Sequence, residues 1–325
     1  MAKRILSGMR PTGRLHIGHY VGALENWVSM QKEYENYHLV ADYHVLTTNP
    51  DSSKIYENTI DMVIDWIAAG IDPQKSPVFR QSQIKEHTEL FLLFSMLITT
   101  ARLERNPTLK DQVRDLNIES LMFGYLGYPV LQAADILLYK GNVVPVGEDQ
   151  VPHVEITREI ARRFNQQYGE VFPEPEPKLT KFARLVGLDG DAKMSKSLGN
   201  TILLSDTKDE IQQKLRKAVT DPQKMRKGDP GRPEVCLVFS YHKKFNPEEV
   251  PEIETNCRSG ALGCVDCKQK CTMSINKYLE PIREKRLYYE SRKDEVLAII
   301  IDGESRARAT AQETMRQVRE VMKLG

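Results

Sequence analysis

The first two hundred residues alternate short apolar runs with longer amphipathic stretches, and this alternation limits the possible fold more than any other feature. The apolar runs lie at 4–7 (RILS), 37–48 (YHLVADYHVLTT), 77–83 (PVFRQSQ) and 142–150 (NVVPVGEDQ). Strands that alternate with helices predict an α/β domain with a parallel sheet. Because such sheets bind ligands at the carboxyl ends of their strands, we expect the polar groups after strands one, two and four to meet there.

After about residue 205 the strand patterns fade and helical spacing continues to the end of the chain. The sequence therefore predicts a Rossmann-like parallel-sheet domain followed by a smaller, all-helical C-terminal domain. We place the first domain at 1–190, a loop at 191–204 and the helical domain at 205–325. We expect the last helix to pack back on the first domain, and we interpret 172–180 (FPEPEPKLT) as a connector.

Composition excludes some classes of protein. The chain has 325 residues, 40% of them hydrophobic, and a net charge of +1. No apolar run approaches the roughly 20 residues that span a bilayer, and the N-terminus lacks the apolar region of a signal peptide. We therefore expect no membrane partner and a cytoplasmic protein with reduced thiols. The overall charge does not indicate a nucleic-acid binder, although a local basic patch is compatible with it.

The first chemical motif is SGMRPTGRLHIGHYVG at 7–22. It combines a strand, a glycine-bearing loop and the start of a helix, an arrangement whose free N–H groups favour anions such as phosphate. His16 and His19 add donors, and Gly18 lets a flat ring approach the backbone. Taken alone, the same residues are compatible with two surface histidines on an amphipathic helix.

The second motif is DAKMSKSLGN at 191–200. Lys193 and Lys196 flank Met194 and Ser195 in a loop rich in small and polar residues. Lysines in such a loop can neutralise charge that builds on a leaving pyrophosphate. Taken alone, a loop of this composition is usually just solvated.

The third motif is YPVLQAADILLY at 128–139. Pro129 predicts the first turn of a helix, with Tyr128 before it. Asp135 then lies among apolar residues, on the same face as Gln132, so its carboxylate is predicted to be buried and to need a donor. That donor could be a structural partner or a substrate, and an indole N–H or a tyrosine O–H would serve.

The first two motifs together, with HIGH at 16–19 and KMSKS at 193–197, resemble the signature of class I aminoacyl-tRNA synthetases. With YPVLQAADILLY and VPVGEDQVPHVEITREIARRFN, most of 1–204 resembles the tryptophanyl-tRNA synthetase family. The resemblance implies a catalytic domain followed by an anticodon-binding domain and a homodimer. It also implies that the chain activates L-tryptophan with ATP and Mg²⁺ and transfers it to tRNA(Trp).

The resemblance also implies roles for individual residues. Asp135 corresponds to the residue that binds the indole nitrogen, and Gln150, beside Tyr128, to one that holds the amino group. Substrate contacts are further expected from Leu6 and Gln132. The residues expected at ATP are Arg10, Thr12, His16, Gly18, His19, Lys193, Met194, Ser195 and Lys196, and the catalytic ones among them are His16, His19, Lys193, Ser195 and Lys196.

Two positions depart from the family pattern. Many members have Gln where this chain has Arg10, and Met where it has Gln132. We expect that Arg10 could hold the substrate carboxylate directly. Tyr128, Gln132 and Asp135 also fit a pattern that the tyrosine enzymes use, so a tyrosyl-tRNA synthetase is the alternative within the class.

Four of the five cysteines lie in NCRSGALGCVDCKQKC at 256–271. A zinc ribbon would have two C-x2-C knuckles, and ferredoxin-type runs repeat that step; this segment has one. With Cys236, the pattern resembles a 4Fe–4S site in a subset of bacterial tryptophanyl-tRNA synthetases. The expected ligands are Cys236, Cys257, Cys264 and Cys267, with zinc on the same thiols as the alternative and Cys271 left over.

Two other classes of protein remain as hypotheses. An iron–sulfur redox protein would need no ATP motifs, and a non-catalytic RNA-binding relative would be expected to have lost a signature residue, whereas HIGH and KMSKS are intact. Basic residues around the cysteines could contact tRNA phosphates. They are Lys214, Arg216, Lys217, Lys224, Arg226, Lys227, Arg232, Lys243, Lys244, Lys268 and Lys270.

Overall fold

The computed structural model describes residues 3–115, 120–179, 185–190 and 194–324. Over these residues the chain forms five strands and fourteen α-helices. In chain order they are β1 (Arg4–Met9), α1 (Ile17–His19), α2 (Glu25–Met30), β2 (Glu35–Val40), α3 (Asp42–Leu46), α4 (Ile55–Ala69), β3 (Val78–Arg80), α5 (Glu86–Ser95), α6 (Thr100–Glu104), α7 (Pro107–Asp115), α8 (Phe123–Leu138), β4 (Val143–Val146), α9 (Val151–Tyr168), β5 (Glu176–Leu179), α10 (Lys208–Lys217), α11 (Leu237–Phe245), α12 (Val250–Arg258), α13 (Cys264–Glu290) and α14 (Lys293–Met322).

The chain separates into two compact units. The first comprises Met1–Gly13, Ala23–Lys181 and Tyr289–Gly325, and the second comprises Arg14–Gly22 and Phe182–Tyr288. The HIGH residues thus belong to the second unit, which sequence reasoning did not anticipate. None of the described helices is long and apolar enough to cross a membrane.

A parallel five-stranded sheet in the order β3-β2-β1-β4-β5 forms the centre of the first unit. β1 pairs with β2 over its whole length, from Arg4 opposite Glu35 to Met9 opposite Val40. Leu6, Tyr37 and Leu39 lie in one large apolar core with residues of α5, α8, α9 and α14. The predicted Rossmann-like α/β fold is confirmed.

One strand was missed. The segment 172–180, interpreted as a connector, contains β5, which pairs with β4 from Val143 opposite Glu176 to Val146 opposite Leu179. Proline cannot donate to a ladder and is confined to edge strands and similar positions. β5 lies at the edge of the sheet, so Pro177 is tolerated there. The proline is nevertheless the reason why the sequence pattern did not indicate a strand.

The predicted start of the third motif's helix was also wrong. α8 begins at Phe123, six positions before Pro129, which lies inside it. Proline inside a helix removes one backbone hydrogen bond and usually disfavours the helix. Here Tyr125 and Leu126, which precede the proline, are buried in the apolar core, and their packing outweighs the local preference.

The C-terminal helix α14 packs against the sheet of the first unit. Gly303 lies so close to β3 that a Cβ on it would be 2.0 Å from the carbonyl oxygen of Val78. The next residue, Glu304, accepts a hydrogen bond from Arg80 Nε at 2.6 Å. Seven residues further, Ala311 lies in the core with Ala307 and Met315. A residue without a side chain is therefore required where α14 crosses β3.

The face of β2 opposite to Tyr37 and Leu39 carries a buried histidine. His38 is fully buried, and its ring stacks on Trp27 with centroids 5.3 Å apart and meets Trp66 edge-on. Neither ring nitrogen has a hydrogen-bond partner among the described residues. Burial lowers the pKa of His38 to about 3, so the ring is neutral. It acts as an apolar packing element.

The second unit is helical apart from its loops. α10 begins with a capping box, in which the Thr207 hydroxyl accepts from the N–H of Glu210 and the Glu210 carboxylate accepts from the N–H of Thr207. α11 and α13 bury Tyr241, Ile275 and Leu279. The predicted helical C-terminal region is confirmed, whereas the boundaries at 190 and 204 stay a prediction.

We predict opposite effects for two Gly→Ala substitutions in helices of the first unit. Gly303→Ala should lower the free energy of unfolding by about 1–3 kcal/mol, because the added methyl group overlaps the backbone of Val78. Gly124→Ala should raise it by about 0.5–1 kcal/mol, because nothing lies within 4 Å of the added carbon and Ala favours the helix. Denaturant unfolding of both variants measures the difference; equal changes would contradict the close approach.

Candidate active site

Asp135 is the central polar group of the first unit. It lies on α8 with 2% of its surface exposed. Its Oδ1 accepts hydrogen bonds from Gln81 Nε2 and His87 Nδ1, each at 2.7 Å, and its Oδ2 accepts one from His44 Nε2 at 2.9 Å. The predicted burial of this carboxylate is confirmed.

The same contacts decide the charge of Asp135. Burial raises the pKa of Asp135, but the hydrogen bonds and charges of His44 and His87 outweigh burial and lower the pKa to about 2. The group is therefore an anion near neutral pH, and it can only accept hydrogen bonds. An ionised, buried acceptor can recognise a substrate N–H or O–H.

Sequence reasoning missed the three donors. His44 lies in α3 directly after β2, and Gln81 begins the 3₁₀ turn Gln81–Gln83 directly after β3. Polar residues that follow neighbouring parallel strands meet at one sheet edge. Their positions after β2 and β3 could therefore have identified His44 and Gln81 from the sequence. His87 stands alone in the first turn of the apolar helix α5, where no sequence pattern marks it.

Tyr128 is the centre of a second hydrogen-bond network. Asn106 Nδ2 donates to His153 Nδ1 at 3.0 Å, so the ring proton of His153 lies on Nε2, 2.7 Å from the Tyr128 hydroxyl. That hydroxyl donates to Gln112 Oε1 at 2.9 Å. Burial lowers the pKa of His153 to about 4, which keeps the ring neutral. The network fixes the direction of the Tyr128 hydroxyl.

The other residues predicted to bind the amino acid differ in exposure. Leu6 is buried in the core, whereas Gln132 on α8 and Gln150 before α9 are half-buried. Gln150 Nε2 donates to Asp149 at 3.0 Å. The two glutamines are thus accessible enough to contact a ligand.

Arg10 and Thr12 are exposed in the loop after β1. Arg10 Nη1 donates to Thr48 Oγ1 at 3.3 Å. Burial is the main cause that raises the pKa of Tyr128, and the positive charge of Arg10 opposes it. The guanidinium therefore lies near enough to Tyr128 for its charge to act on the phenol.

The HIGH residues form a compact turn in the second unit. The rings of His16 and His19 stack with centroids 3.7 Å apart, and His16 Nδ1 accepts from the His19 N–H at 3.3 Å. Ile17 N donates to Ile202 O at 2.9 Å. A Cβ on Gly18 would lie 2.9 Å from His16 Nδ1. Only glycine fits at that position without displacing the histidine.

The described part of the KMSKS loop lies against this turn. The position of a Cβ on Gly18 would be 3.4 Å from Met194 Sδ, and Lys196 Nζ donates to Arg14 O at 3.1 Å. Lys193 lies outside the described residues. The structure thus brings together, within one unit, two motifs that are about 175 positions apart in the sequence.

Asn200 holds the loop in place and was not among the predicted residues. Its Oδ1 accepts from the Ser195 N–H at 2.7 Å, and its Nδ2 donates to Asp189 Oδ2 at 2.7 Å. A Cβ on Gly187 would be 2.2 Å from that nitrogen. The buried amide therefore connects both sides of the loop.

The cysteines lie near one another in the second unit, and none forms a disulfide. Burial is the main cause that raises the pKa of Cys267 to about 12, and the charges of Cys236, Cys257 and Cys264 contribute to the same increase. Cys271 is fully buried. Over the described ranges, no group of three or more His, Cys, Asp or Glu side chains is arranged to hold a metal ion, so the metal site stays a prediction.

One lysine near the cysteines is not available to RNA. Lys224 is only 7% exposed, and its Nζ donates to the carbonyl oxygens of Asp229 at 2.7 Å and Cys257 at 3.1 Å. Its inclusion among the expected tRNA contacts was wrong, because its ammonium group instead joins two loops.

Comparisons with known proteins agree with this geometry. A family profile described as "tRNA synthetases class I (W and Y)" matches residues 2–280. The chain belongs to this family of class I aminoacyl-tRNA synthetases. Within the family its full-length relatives are tryptophan–tRNA ligases. That of Thermotoga maritima is 51% identical over 99% of both chains, and that of Aquifex aeolicus is 45% identical over 99% of this chain and 100% of its own.

A solved structure shows the same fold. Tryptophanyl-tRNA synthetase from Campylobacter jejuni, complexed with ADP and tryptophan, superposes with a TM-score of 0.89 at 36% identity. The match covers 98% of this chain and 99% of that one.

We predict that Asn200→Ala loosens the loop. The Ser195 N–H loses its acceptor, so its hydrogen exchange should become faster by about tenfold, the value of one ordinary hydrogen bond. Asn256→Ala on α12 is the matched control and should leave the exchange of Ser195 unchanged. Exchange measured by mass spectrometry tests this, and equal rates in all three proteins would contradict the role of Asn200.

Proposed function

We propose that this protein activates L-tryptophan with ATP and transfers the activated amino acid to tRNA(Trp). The observation that carries the proposal is the buried, ionised carboxylate of Asp135, in a chain 51% identical to a tryptophan–tRNA ligase. The tyrosine alternative is set aside because the curated relatives over the full chain are ligases for tryptophan.

Asp135 is proposed to accept a hydrogen bond from the indole N–H. Phenylalanine offers no such donor, and a site built to bind a donor rejects an analogue without it by about 10⁴ or more. Tyr128 and Gln150 are proposed to hold the amino group, and Arg10 the carboxylate. Apolar contact from Leu6 and a polar contact from Gln132 complete the proposed amino-acid site.

ATP is proposed to bind along the HIGH turn and the KMSKS loop. The stacked pair His16 and His19 presents imidazole donors, and Gly18 leaves space beside them. Lysine ammonium groups in the loop would neutralise the phosphates. The remaining proposed ATP contacts are Arg10, Thr12, Lys193, Met194, Ser195 and Lys196.

The proposed reaction has two steps. A carboxylate oxygen of tryptophan attacks the α-phosphorus of ATP, and the bond to the β-phosphate oxygen breaks to release pyrophosphate. A hydroxyl of the 3′-terminal adenosine of tRNA then attacks the acyl carbon, and AMP leaves. Positioning and cationic stabilisation of the phosphoryl group would supply the rate enhancement. Mg²⁺ bound to the phosphates would add charge neutralisation with few protein ligands.

We predict ATP–pyrophosphate exchange with tryptophan and none with tyrosine. Lys196→Ala should lower the exchange rate by about a hundredfold, because a group that stabilises the transition state is lost, while tryptophan binding measured by calorimetry stays unchanged. Lys277→Ala, an exposed lysine on α13, is the matched control. Exchange with tyrosine alone would overturn the substrate, and exchange with neither would favour a non-catalytic RNA-binding relative.

A 4Fe–4S cluster on Cys236, Cys257, Cys264 and Cys267 is a further part of the proposal, with zinc as the alternative. The charges of Cys236 and Cys264 contribute to the raised pKa values of Cys257 and Cys267, so the four thiols lie near one another, and four thiolates are the donor set that either metal site uses. The bound group would brace the loops between α10 and α13. Gly231 leaves the space that Cys257 Sγ occupies, since a Cβ there would be 2.6 Å from the sulfur.

Anaerobically purified protein should therefore contain iron and acid-labile sulfide and show broad visible absorbance. Cys267→Ala should abolish both, because it removes one ligand, whereas Cys271→Ala should retain them. Metal analysis and absorbance spectra of the three proteins measure this. Colourless protein that contains only zinc would contradict the cluster, and loss of iron in Cys271→Ala would change the ligand set.

Binding of tRNA is proposed to use exposed basic side chains of the second unit, since cations that replace counterions on phosphates dominate such affinity. The exposed members of the basic set are Arg216, Lys217, Arg226, Lys227 and Lys243. An anticodon-binding role for 205–325, a homodimer and a cytoplasmic location are also proposed, and these rest on the family resemblance alone.

A further inference from the structure

The oxygens of Asp135 are not equivalent as acceptors. An ionised carboxylate oxygen has two lone-pair positions. Among the described residues, Oδ1 accepts from Gln81 and His87, whereas Oδ2 accepts from His44 alone. One acceptor position on Oδ2 is therefore left for a ligand.

A second hydrogen bond, on the side of the ring away from Asp135, orients His87. His87 is fully buried, and its Nε2 lies 2.8 Å from the hydroxyl of Tyr139. The ionised carboxylate of Asp135 can only accept hydrogen bonds, so Nδ1 of His87 carries a proton and donates it to Oδ1. The hydroxyl of Tyr139, on the other side of the ring, holds the ring in that orientation.

Aromatic contacts hold the ring of Tyr139, which in turn orients His87. Its ring stacks on Tyr37 with centroids 4.9 Å apart and lies tilted on Phe79 at 5.0 Å. Both neighbours project from strands of the sheet, β2 and β3. The direction of the Asp135 carboxylate is thereby tied, through His87 and Tyr139, to two strands of the central sheet.

We propose that His87 and Tyr139 are positioning residues that select the amino acid, because they hold the carboxylate of Asp135 in an orientation that leaves one acceptor position open. An indole N–H is a donor only, so it matches this site. A phenol brings an oxygen that also needs a donor, and phenylalanine brings neither group. This inference rests on the proposed function, since it assumes that Asp135 meets the substrate side chain.

Three substitutions separate positioning from simple packing. His87→Leu removes the donor to Asp135. His87→Asn can keep an N–H directed at Asp135 but loses the link to Tyr139. Tyr139→Phe removes one hydroxyl and with it the hydrogen bond that holds the ring of His87 in its orientation. His38→Leu is the matched control, because it replaces an equally buried histidine on the opposite face of the sheet.

The probes are tryptophan and its analogue with sulfur in place of the indole N–H, 3-benzothienylalanine, in ATP–pyrophosphate exchange. His87→Leu should raise KM for tryptophan by about tenfold to a hundredfold, the value of a hydrogen bond to a charged group, with kcat close to that of the wild type. KM for the analogue should change little, so discrimination falls by the same factor. Tyr139→Phe should have a smaller effect, and His87→Asn should restore part of the loss.

A KM that rises equally for both probes would overturn the proposal, as would a matching effect of His38→Leu. If His87→Leu does not fold, as judged by circular dichroism, the Asn and Phe variants decide with the same two probes, and unchanged discrimination in both overturns the proposal. Failure of the proposed function is distinguishable, because wild-type protein would then show no exchange with tryptophan at all.

Discussion

The first unit depends on one buried negative charge. The carboxylate of Asp135 lies inside the protein, where an unpaired charge would be strongly unfavourable. Its partners His44, Gln81 and His87 come from three different segments, so the charge ties α3, the turn after β3 and α5 to α8. The carboxylate proposed to recognise the ligand is consequently also the group that joins these elements.

Backbone contacts have the corresponding role in the second unit. Residues 15–17 pair with 202–204 through the bonds from Ile17 N to Ile202 O and from Leu204 N to Leu15 O. These bonds hold the HIGH turn beside the loop that Asn200 closes. The HIGH turn and the described part of the KMSKS loop thus belong to the same compact unit as α10, α11 and α12, even though HIGH lies near the N-terminus.

Much of the fold could be predicted because hydrophobic periodicity is local. Four strands and most helices were recognisable from their spacing. The exceptions were β5, where prolines are tolerated at a sheet edge, and the start of α8, where burial of Tyr125 and Leu126 outweighs the preference of Pro129. For the site, Asp135 was marked by its apolar surroundings, whereas His87 and Tyr139 had no local pattern. Their role arises from contacts 48 and 52 positions away in the chain.

The sequence by itself determined the class of the protein. HIGH, KMSKS and the motif around Asp135 are short segments, so their residue types and spacing can be recognised without the structure. It also determined that Asp135 must be buried, since its helix is apolar on the surrounding positions. Only the tertiary structure decided which groups offset the cost of that burial and which oxygen of Asp135 has fewer hydrogen-bond partners among the described residues. It also decided that the ammonium group of Lys224 joins two loops. Such outcomes depend on distances between residues remote in the chain, and the folded packing alone sets those distances.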